Sequence, residues 1–376
     1  MNQEMIVPVI SKNPMLSRLG ICNFHGLKEL SLASAARVNL IVGRNDSGKT
    51  SLLEAIRILL TGDPRHLRRP RRNPFERKSL DLEQAYRLAF HQAYSGDPIQ
   101  ITGNVGESVL SAKANIIKVF DEEILPPDPD SDEDPSEATE SLLQPGHEIV
   151  VEIRADNGAV ATIKQLLRDK MVGRSQRHFS GGTFPDIPPL VWLGTNRAEV
   201  WSHARRYSDL YRTGGSPLLL DLLKDIEPRL QGLVVLTDRS ETGLSNAVLE
   251  VDLGLGNTLP LESMGDGFSS TIALLSAIGA SKGGLCLIDE VENGIHYSLL
   301  TQIWRSVSEA AIRYNAQIWA TTHSYDCIAG AYEGFRDAPE ALRVHRLERR
   351  DDGSTAVHSF DHAMLGRALE RSLEVR

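Results

Sequence analysis

The stretch Ile41-Val-Gly-Arg-Asn-Asp-Ser-Gly-Lys-Thr-Ser51 constrains this chain more than any other. It reads G-x-x-x-x-G-K-T from Gly43 to Thr50. An apolar run, Val38 to Val42, precedes it, and a helical pattern, Ser51 to Leu60, follows. Strand, glycine-bearing loop and helix in that order form a phosphate-binding loop. Glycines let the backbone wrap closely around phosphate with its N–H groups turned inward. The helix N-terminus adds a favourable dipole. Gly43, Arg44, Asn45, Asp46, Ser47, Gly48, Lys49, Thr50 and Ser51 are therefore the expected cradle of a nucleoside triphosphate. Lys49 supplies positive charge near the β/γ-phosphates, and Thr50 offers a hydroxyl to Mg²⁺.

The rest of the composition narrows the setting. With 376 residues, 41% of them hydrophobic, the chain can bury a sizeable core, and its length suggests two or three domains. No apolar run approaches the ~18 residues needed to cross a bilayer. No charged n-region followed by a long apolar stretch opens the sequence, so no signal peptide is expected and a cytoplasmic location is. The net charge of −9 argues against a globally basic nucleic-acid binder, though not against a local basic patch. Cys22, Cys286 and Cys327 show no metal-ligand spacing and are expected to be buried and reduced.

Along the chain, 15–32 alternates as a β-hairpin leading into the loop strand. Asp63 to Lys78 carries seven basic residues interrupted by prolines, so it reads as a loop. That run is either a phosphate-binding patch or a solvated loop facing acidic residues. Ile99–Val105 and Asn115–Phe120 read as strands. Asp121–Glu140 holds ten acidic residues, four prolines and no basic residue, a composition expected to stay disordered. Its flanks, Asn115–Phe120 and Glu148–Arg154, are expected to pair with the acidic segment at their tip. Arg174–Pro189 reads as irregular, Val200–Leu230 as helical, Gly232–Thr237 and Ala247–Leu253 as strands, and Gly267–Ala280 as a helix. Leu285–Ile288 and Ile318–Thr321 are short apolar runs of the kind found in parallel strands buried on both faces. No internal repeat and no sustained heptad pattern is present.

Three further motifs carry chemistry. The strand Leu285–Ile288 ends in Asp289-Glu290. After a phosphate-binding loop, such an Asp helps hold Mg²⁺, and the adjacent Glu can accept a proton from an attacking water. Ile318–Thr321 ends in Thr322-His323-Ser324. If that strand neighbours the Asp289 strand, His323 would orient the water or stabilise charge on the transferring phosphoryl group. Ser263, Gly265 and Gly267 lie just before a helix, a pattern resembling an anion-binding turn at a helix start.

The order of these four motifs resembles the nucleotide-binding domain of an ABC-class ATPase of the RecF/SMC-like branch. Within it, the sequence resembles the OLD-like ATPases of bacterial anti-phage systems. Asn23-Phe24-His25-Gly26-Leu27-Lys28 is similar to that branch's first hairpin, although the family usually carries Arg where this chain has His25. Ser263-Met-Gly-Asp-Gly267 stands in place of the transporter signature, and Asp289-Glu-Val-Glu-Asn-Gly-Ile-His296 resembles the OLD-like loop. The resemblance implies an α/β ATPase head with a mixed β-sheet, a phosphate-loop core and a helical subdomain. Residues 1–60 and 261–376 would form its two halves. Residues 61–189 would be inserted strands and loops, and 190–260 a helical and strand lead-in to the signature.

The resemblance also implies a mechanism. ATP and Mg²⁺ would sit between two heads, with Thr50 and Asp289 as metal ligands and Glu290 and His323 as catalytic groups. Ser263, Gly265 and Gly267 of one protomer would face the nucleotide of the other. The branch uses a Mg²⁺-sensing glutamine, for which Gln84, Gln92 and Gln100 are alternatives. Only about 50 residues follow His323, too few for the Toprim nuclease domain of full OLD proteins. The expected function is an ATPase that forms a homodimer or higher oligomer on nucleotide and regulates a separate nuclease or toxin in phage defence. The alternative is a RecF-like ATPase that binds DNA in repair.

Overall fold

The computed structural model describes residues 15–67, 86–91, 96–122, 143–168, 171–172, 175–195, 200–239 and 245–371. Most of the basic run after Leu67, the acidic segment beyond Glu122, Gln84 and Gln92 lie outside them.

The hairpin expected over 15–32 forms as β1 (Leu16–Phe24) and β2 (Leu27–Leu32), and leads into β3 (Val38–Val42) and α1 (Lys49–Thr61). A register shift between Leu16 and Arg18 changes the phase of β1. Leu16 on one side of it and Leu19 and Ile21 on the other therefore all face the core, and Asn23 at φ 58° turns the end of the strand where Phe24 is buried. The same phase turns Cys22 outward, so its thiol is exposed, whereas Cys286 and Cys327 are buried; all three are free. The expectation of a buried Cys22 fails because alternation along β1 puts it on the open face.

Next come β4 (Ile99–Val105), β5 (Ser108–Glu122), β6 (Leu143–Ala155), β7 (Val160–Arg168), β8 (Met171–Val172), β9 (Gln176–Ser180) and β10 (Leu190–Leu193). Strands β5 and β6 pair from Leu110↔Ala155 to Glu122↔Leu143, the pairing foreseen for the flanks of the acidic segment. The strand expected at Asn115–Phe120 is longer than its apolar core suggested. The stretch Arg174–Pro189 is not wholly irregular, because β9 pairs with β7 as an added edge.

The helical stretch 200–230 is two helices, α2 (Val200–Arg212) and α3 (Ser216–Lys224). Between them Gly214 adopts φ 71°, a left-handed turn that glycine takes without steric cost. Leu219, Leu222 and Leu223 fill the buried face of α3. Strands β11 (Gly232–Arg239), β12 (Ser245–Asp252) and β13 (Leu259–Pro260) form a separate three-stranded sheet. The chain closes with α4 (Asp266–Ala280), β14 (Leu285–Ile288), α5 (Leu300–Arg313), β15 (Gln317–Thr321), α6 (Tyr325–Gly334), β16 (Leu342–Arg349), β17 (Thr355–Asp361) and α7 (His362–Glu370).

The large sheet is mixed, in the order β10-β14-β15-β3-β16-β17-β2-β1-β4-β5-β6-β7-β8. Strands β10, β14, β15, β3 and β16 are mutually parallel. Their residues alternate between two cores. Cys286, Ile288, Ile318 and Ala320 pack with α4 and α5 on one face. Leu285, Leu287, Trp319 and Ile41 pack with α1 on the other. Burial on both faces explains why these strands read as unbroken apolar runs. Because β3, β14 and β15 are parallel neighbours, their carboxyl ends open on one edge. Open α/β sheets bind their ligands at that edge.

Candidate nucleotide site

The phosphate loop joins β3 to α1. Gly43 has φ 148°, and an added Cβ there would sit 2.7 Å from both the Leu347 carbonyl and the Ser47 hydroxyl. Gly48 caps α1 in the left-handed region, φ 97°, where an added Cβ would run into the Leu27 side chain. The hairpin tip thus packs on the loop it precedes in sequence. Arg44, Asn45 and Asp46 are exposed at the loop crest, and Ser47 and Ser51 are buried. The first N–H groups of α1 have no partner within the helix, which leaves them available to an anion.

Lys49 folds over its own loop. Its Nζ donates to the carbonyls of Gly43 at 2.7 Å and Arg44 at 2.9 Å. Burial pulls its ammonium below the usual lysine range, opposed by Asp289, Glu292, Glu290 and Asp46, in that order of strength.

The motifs distant in sequence meet at the end of β14. The Thr50 hydroxyl lies 3.1 and 3.2 Å from the two carboxylate oxygens of Asp289. The Thr321 hydroxyl donates to the same carboxylate at 2.6 Å and accepts the Glu290 N–H at 2.8 Å. Asp289 is only 7% exposed, so these bonds stand in for the water it has lost. Glu290 sits at φ 50°, a conformation that costs a non-glycine residue roughly 1–3 kcal/mol and clusters at functional sites. His323 follows β15 on the same edge and is 58% exposed at its side chain. The Glu292 carboxylate accepts its backbone N–H at 3.1 Å.

Ser263 and Gly265 are exposed ahead of α4. Gly265 caps that helix at φ 82°, ψ 158°, a region open essentially to glycine alone. Gly267 lies against the Gly294 carbonyl, 3.6 Å from where its Cβ would be. This turn thus packs on the loop that follows Glu290, but it takes no part in the hydrogen-bond network around Asp289. Gln100 is exposed on β4 opposite Cys22 and is likewise outside that network.

Sequence reasoning passed over Thr321 and Glu292. Thr321 looked like the last residue of an apolar strand, and Glu292 was one unassigned position within the stretch Asp289–His296. Their roles depend on which strand lies beside which. His25 stands where the resembled branch usually carries Arg. Its ring is buried, with Nε2 3.4 Å from Glu54 on α1, so it faces into the fold.

Two protein families match this sequence. One described as "AAA domain" matches residues 18–123, including the phosphate loop. A second, described as "AAA domain, putative AbiEii toxin, Type IV TA system", matches residues 97–327. An "ATP/GTP phosphatase" of Helicobacter pylori is 22% identical over 330 residues, covering 84% of this chain and 86% of that protein. The "DNA replication and repair protein RecF" of Teredinibacter turnerae is 38% identical over 98 residues, which is 26% of this chain. The chain matches only 23% of the length of that RecF. Among solved structures, an SMC head bound to the C-winged helix domain of ScpA aligns over 95% of this chain and 100% of its own, with 14% identity and a TM-score of 0.49. The SMC head domain from Thermotoga maritima aligns over 93% of this chain and 100% of its own, with 12% identity and a TM-score of 0.42. No helix among the described residues is long and apolar enough to cross a membrane. With the phosphate loop, Asp289 and Thr321 meeting on one sheet edge, and with more than half its length matching the second family, the chain belongs to the AAA-domain P-loop ATPases of that family.

Proposed function

We propose that this ATPase hydrolyses ATP with Mg²⁺, closes into a homodimer on nucleotide and regulates a separate effector, a nuclease or toxin, in anti-phage defence. The network Thr50–Asp289–Thr321 carries the hydrolytic part of this reading. It draws a hydroxyl and a carboxylate onto one spot beside Lys49, and hard oxygen donors of this kind suit Mg²⁺. Thr50 and Asp289 would hold the ion; when bound it neutralises charge on the β- and γ-phosphate oxygens.

Lys49 would leave its own loop carbonyls for those phosphates. Glu290 would accept the proton of the attacking water. His323 would orient that water or stabilise charge on the transferred phosphoryl group. The exposed Ser263 and the Gly265–Gly267 backbone would face the γ-phosphate held by Lys49 of the partner subunit. Such an interface is isologous, with each protomer giving one motif of each kind to each site.

The effector reading is supported by the toxin-system description of the matched family. The second reading, a RecF-like DNA-binding ATPase, is favoured by the short RecF matches. A nuclease or toxin gene beside this one would favour the first, and replication genes the second.

Phosphate release tests the chemistry. Glu290→Gln should lose turnover by ~10²–10⁴-fold while ATP still binds, because the amide cannot accept the proton. Chelation by EDTA should stop the wild-type chain. Wild-type turnover in the variant would remove Glu290 from the base role, and turnover in EDTA would remove Mg²⁺.

A further inference from the structure

Glu292 lies two residues beyond Glu290, and its contacts run to the neighbouring strand's loop. Its Oε1 accepts the His323 backbone N–H at 3.1 Å and stands 3.3 Å from the ring Nδ1 of the same residue. The Glu292 side chain is 13% exposed, against 58% for His323. One mostly buried carboxylate oxygen thus meets both the main chain and the ring of a mostly exposed histidine. The other oxygen, Oε2, is buried without a hydrogen-bond partner among the described residues. After Asp289, Glu292 is the strongest carboxylate influence on Lys49, so it belongs to the nucleotide edge. The main chain after His323 is also fixed. Ser324 caps α6 by accepting the Cys327 N–H, and the Ser324 N–H donates to Thr322.

We propose that Glu292 is the positioning residue of His323, fixing its main chain and holding its ring in the form with the proton on Nδ1, so that Nε2 is the atom presented to the nucleotide. The chemistry follows from the donor inventory. An ionised carboxylate only accepts, so for the ring to bond to Glu292 through Nδ1 that nitrogen would carry the hydrogen. A neutral imidazole has one N–H, and the partner of one nitrogen sets the state of the other. With Nδ1–H donated to Glu292, Nε2 of the neutral ring is an acceptor, suited to a water. A second proton on Nε2 would make it a donor to a phosphoryl oxygen, with Glu292 balancing the added charge. Side chains that orient a functional histidine through its second nitrogen commonly matter by 10–100-fold in metal sites, and a similar loss is expected here. The inference rests on His323 acting at the γ-phosphate.

The test is a double-mutant cycle on the full chain, read by steady-state phosphate release. Glu292→Ala should lower kcat by ~10–100-fold with KM for ATP nearly unchanged. Glu292→Ala combined with His323→Ala should be no slower than His323→Ala alone, since Glu292 acts only through His323. Glu292→Gln keeps an acceptor and the size but loses the charge, and should fall between wild type and Glu292→Ala. Ring ¹⁵N shifts of His323, assigned by comparison with His323→Ala, should show the proton on Nδ1 in the wild-type chain. Losses that multiply in the double variant, or a neutral ring protonated on Nε2 alone, would overturn the proposal. An impaired His323→Ala beside a fully active Glu292→Ala would sink this inference alone. A fully active His323→Ala would remove the reading of His323 on which it rests. If Glu292→Ala fails to fold, the Glu292→Gln kinetics and the wild-type ring shifts decide.

Discussion

Replacing Thr321 by Val tests the network at its centre. The two side chains have nearly the same shape, so the change removes a hydroxyl and little else. That hydroxyl donates to Asp289 at 2.6 Å and accepts the Glu290 N–H at 2.8 Å. A hydrogen bond to a charged group contributes ~1.5–3 kcal/mol, and orphaning a buried donor costs ~1–3 kcal/mol. Asp289 keeps Thr50, so a total near the low end, ~3 kcal/mol, is expected. Unfolding entropy of ~2.1 cal/mol/K per residue over the roughly 300 described residues makes this a fall of ~5 °C in Tm. Turnover should fall as well, because the strained Glu290 peptide loses the group that holds it. Thr321→Ser keeps the hydroxyl and should restore most of both. The assays are thermal unfolding of the nucleotide-free chain and steady-state phosphate release. A Val variant that melts within ~1 °C of wild type and turns over normally would refute the idea that Thr321 organises the site.

Three other outcomes follow from the same geometry. Lys49→Ala should weaken ATP binding itself, since the loop loses its charge at the β/γ-phosphates; unchanged affinity by calorimetry would make the phosphate-loop assignment wrong. Ser263→Arg should bind ATP yet fail to hydrolyse it, because a bulky side chain at this exposed turn would obstruct its proposed close approach to the nucleotide held by the partner subunit. Mixed with Lys49→Ala it should regain part of the activity, as one shared site then carries neither defect; no recovery in confirmed mixed dimers would count against shared sites that work independently. Finally, burial pushes His345 down to about 3, with Arg343 adding to the effect. Burial, then Arg57, pushes His66 down to about 4. Between the ordinary histidine value and these, the unfolded chain takes up protons that the folded chain refuses, so stability falls as pH drops. For His345 the loss is ~1.4 kcal/mol per unit, or about 2 kcal/mol at pH 5. His345→Gln should flatten the denaturation profile by that amount, and an unaltered slope would exclude His345 as its source.

The sequence by itself determined the pieces whose cause is local. The phosphate loop could be read because Gly43 and Gly48 meet backbone demands, φ 148° and φ 97°, that few other residues satisfy. The strands of 285–288 and 318–321 could be read because burial on both faces favours short apolar runs. The pairing of β5 with β6 followed from two strand patterns on either side of one strongly acidic segment. Tertiary structure alone decided what depends on neighbours. Thr321 and Glu292 acquire their partners only because β14 and β15 lie side by side and parallel. His25 turns inward because Glu54, on the next helix, packs against the hairpin tip. A side chain's type limits the bonds it can make, but the partner that meets it is chosen by strand order and register, which are set by the packing of the whole sheet.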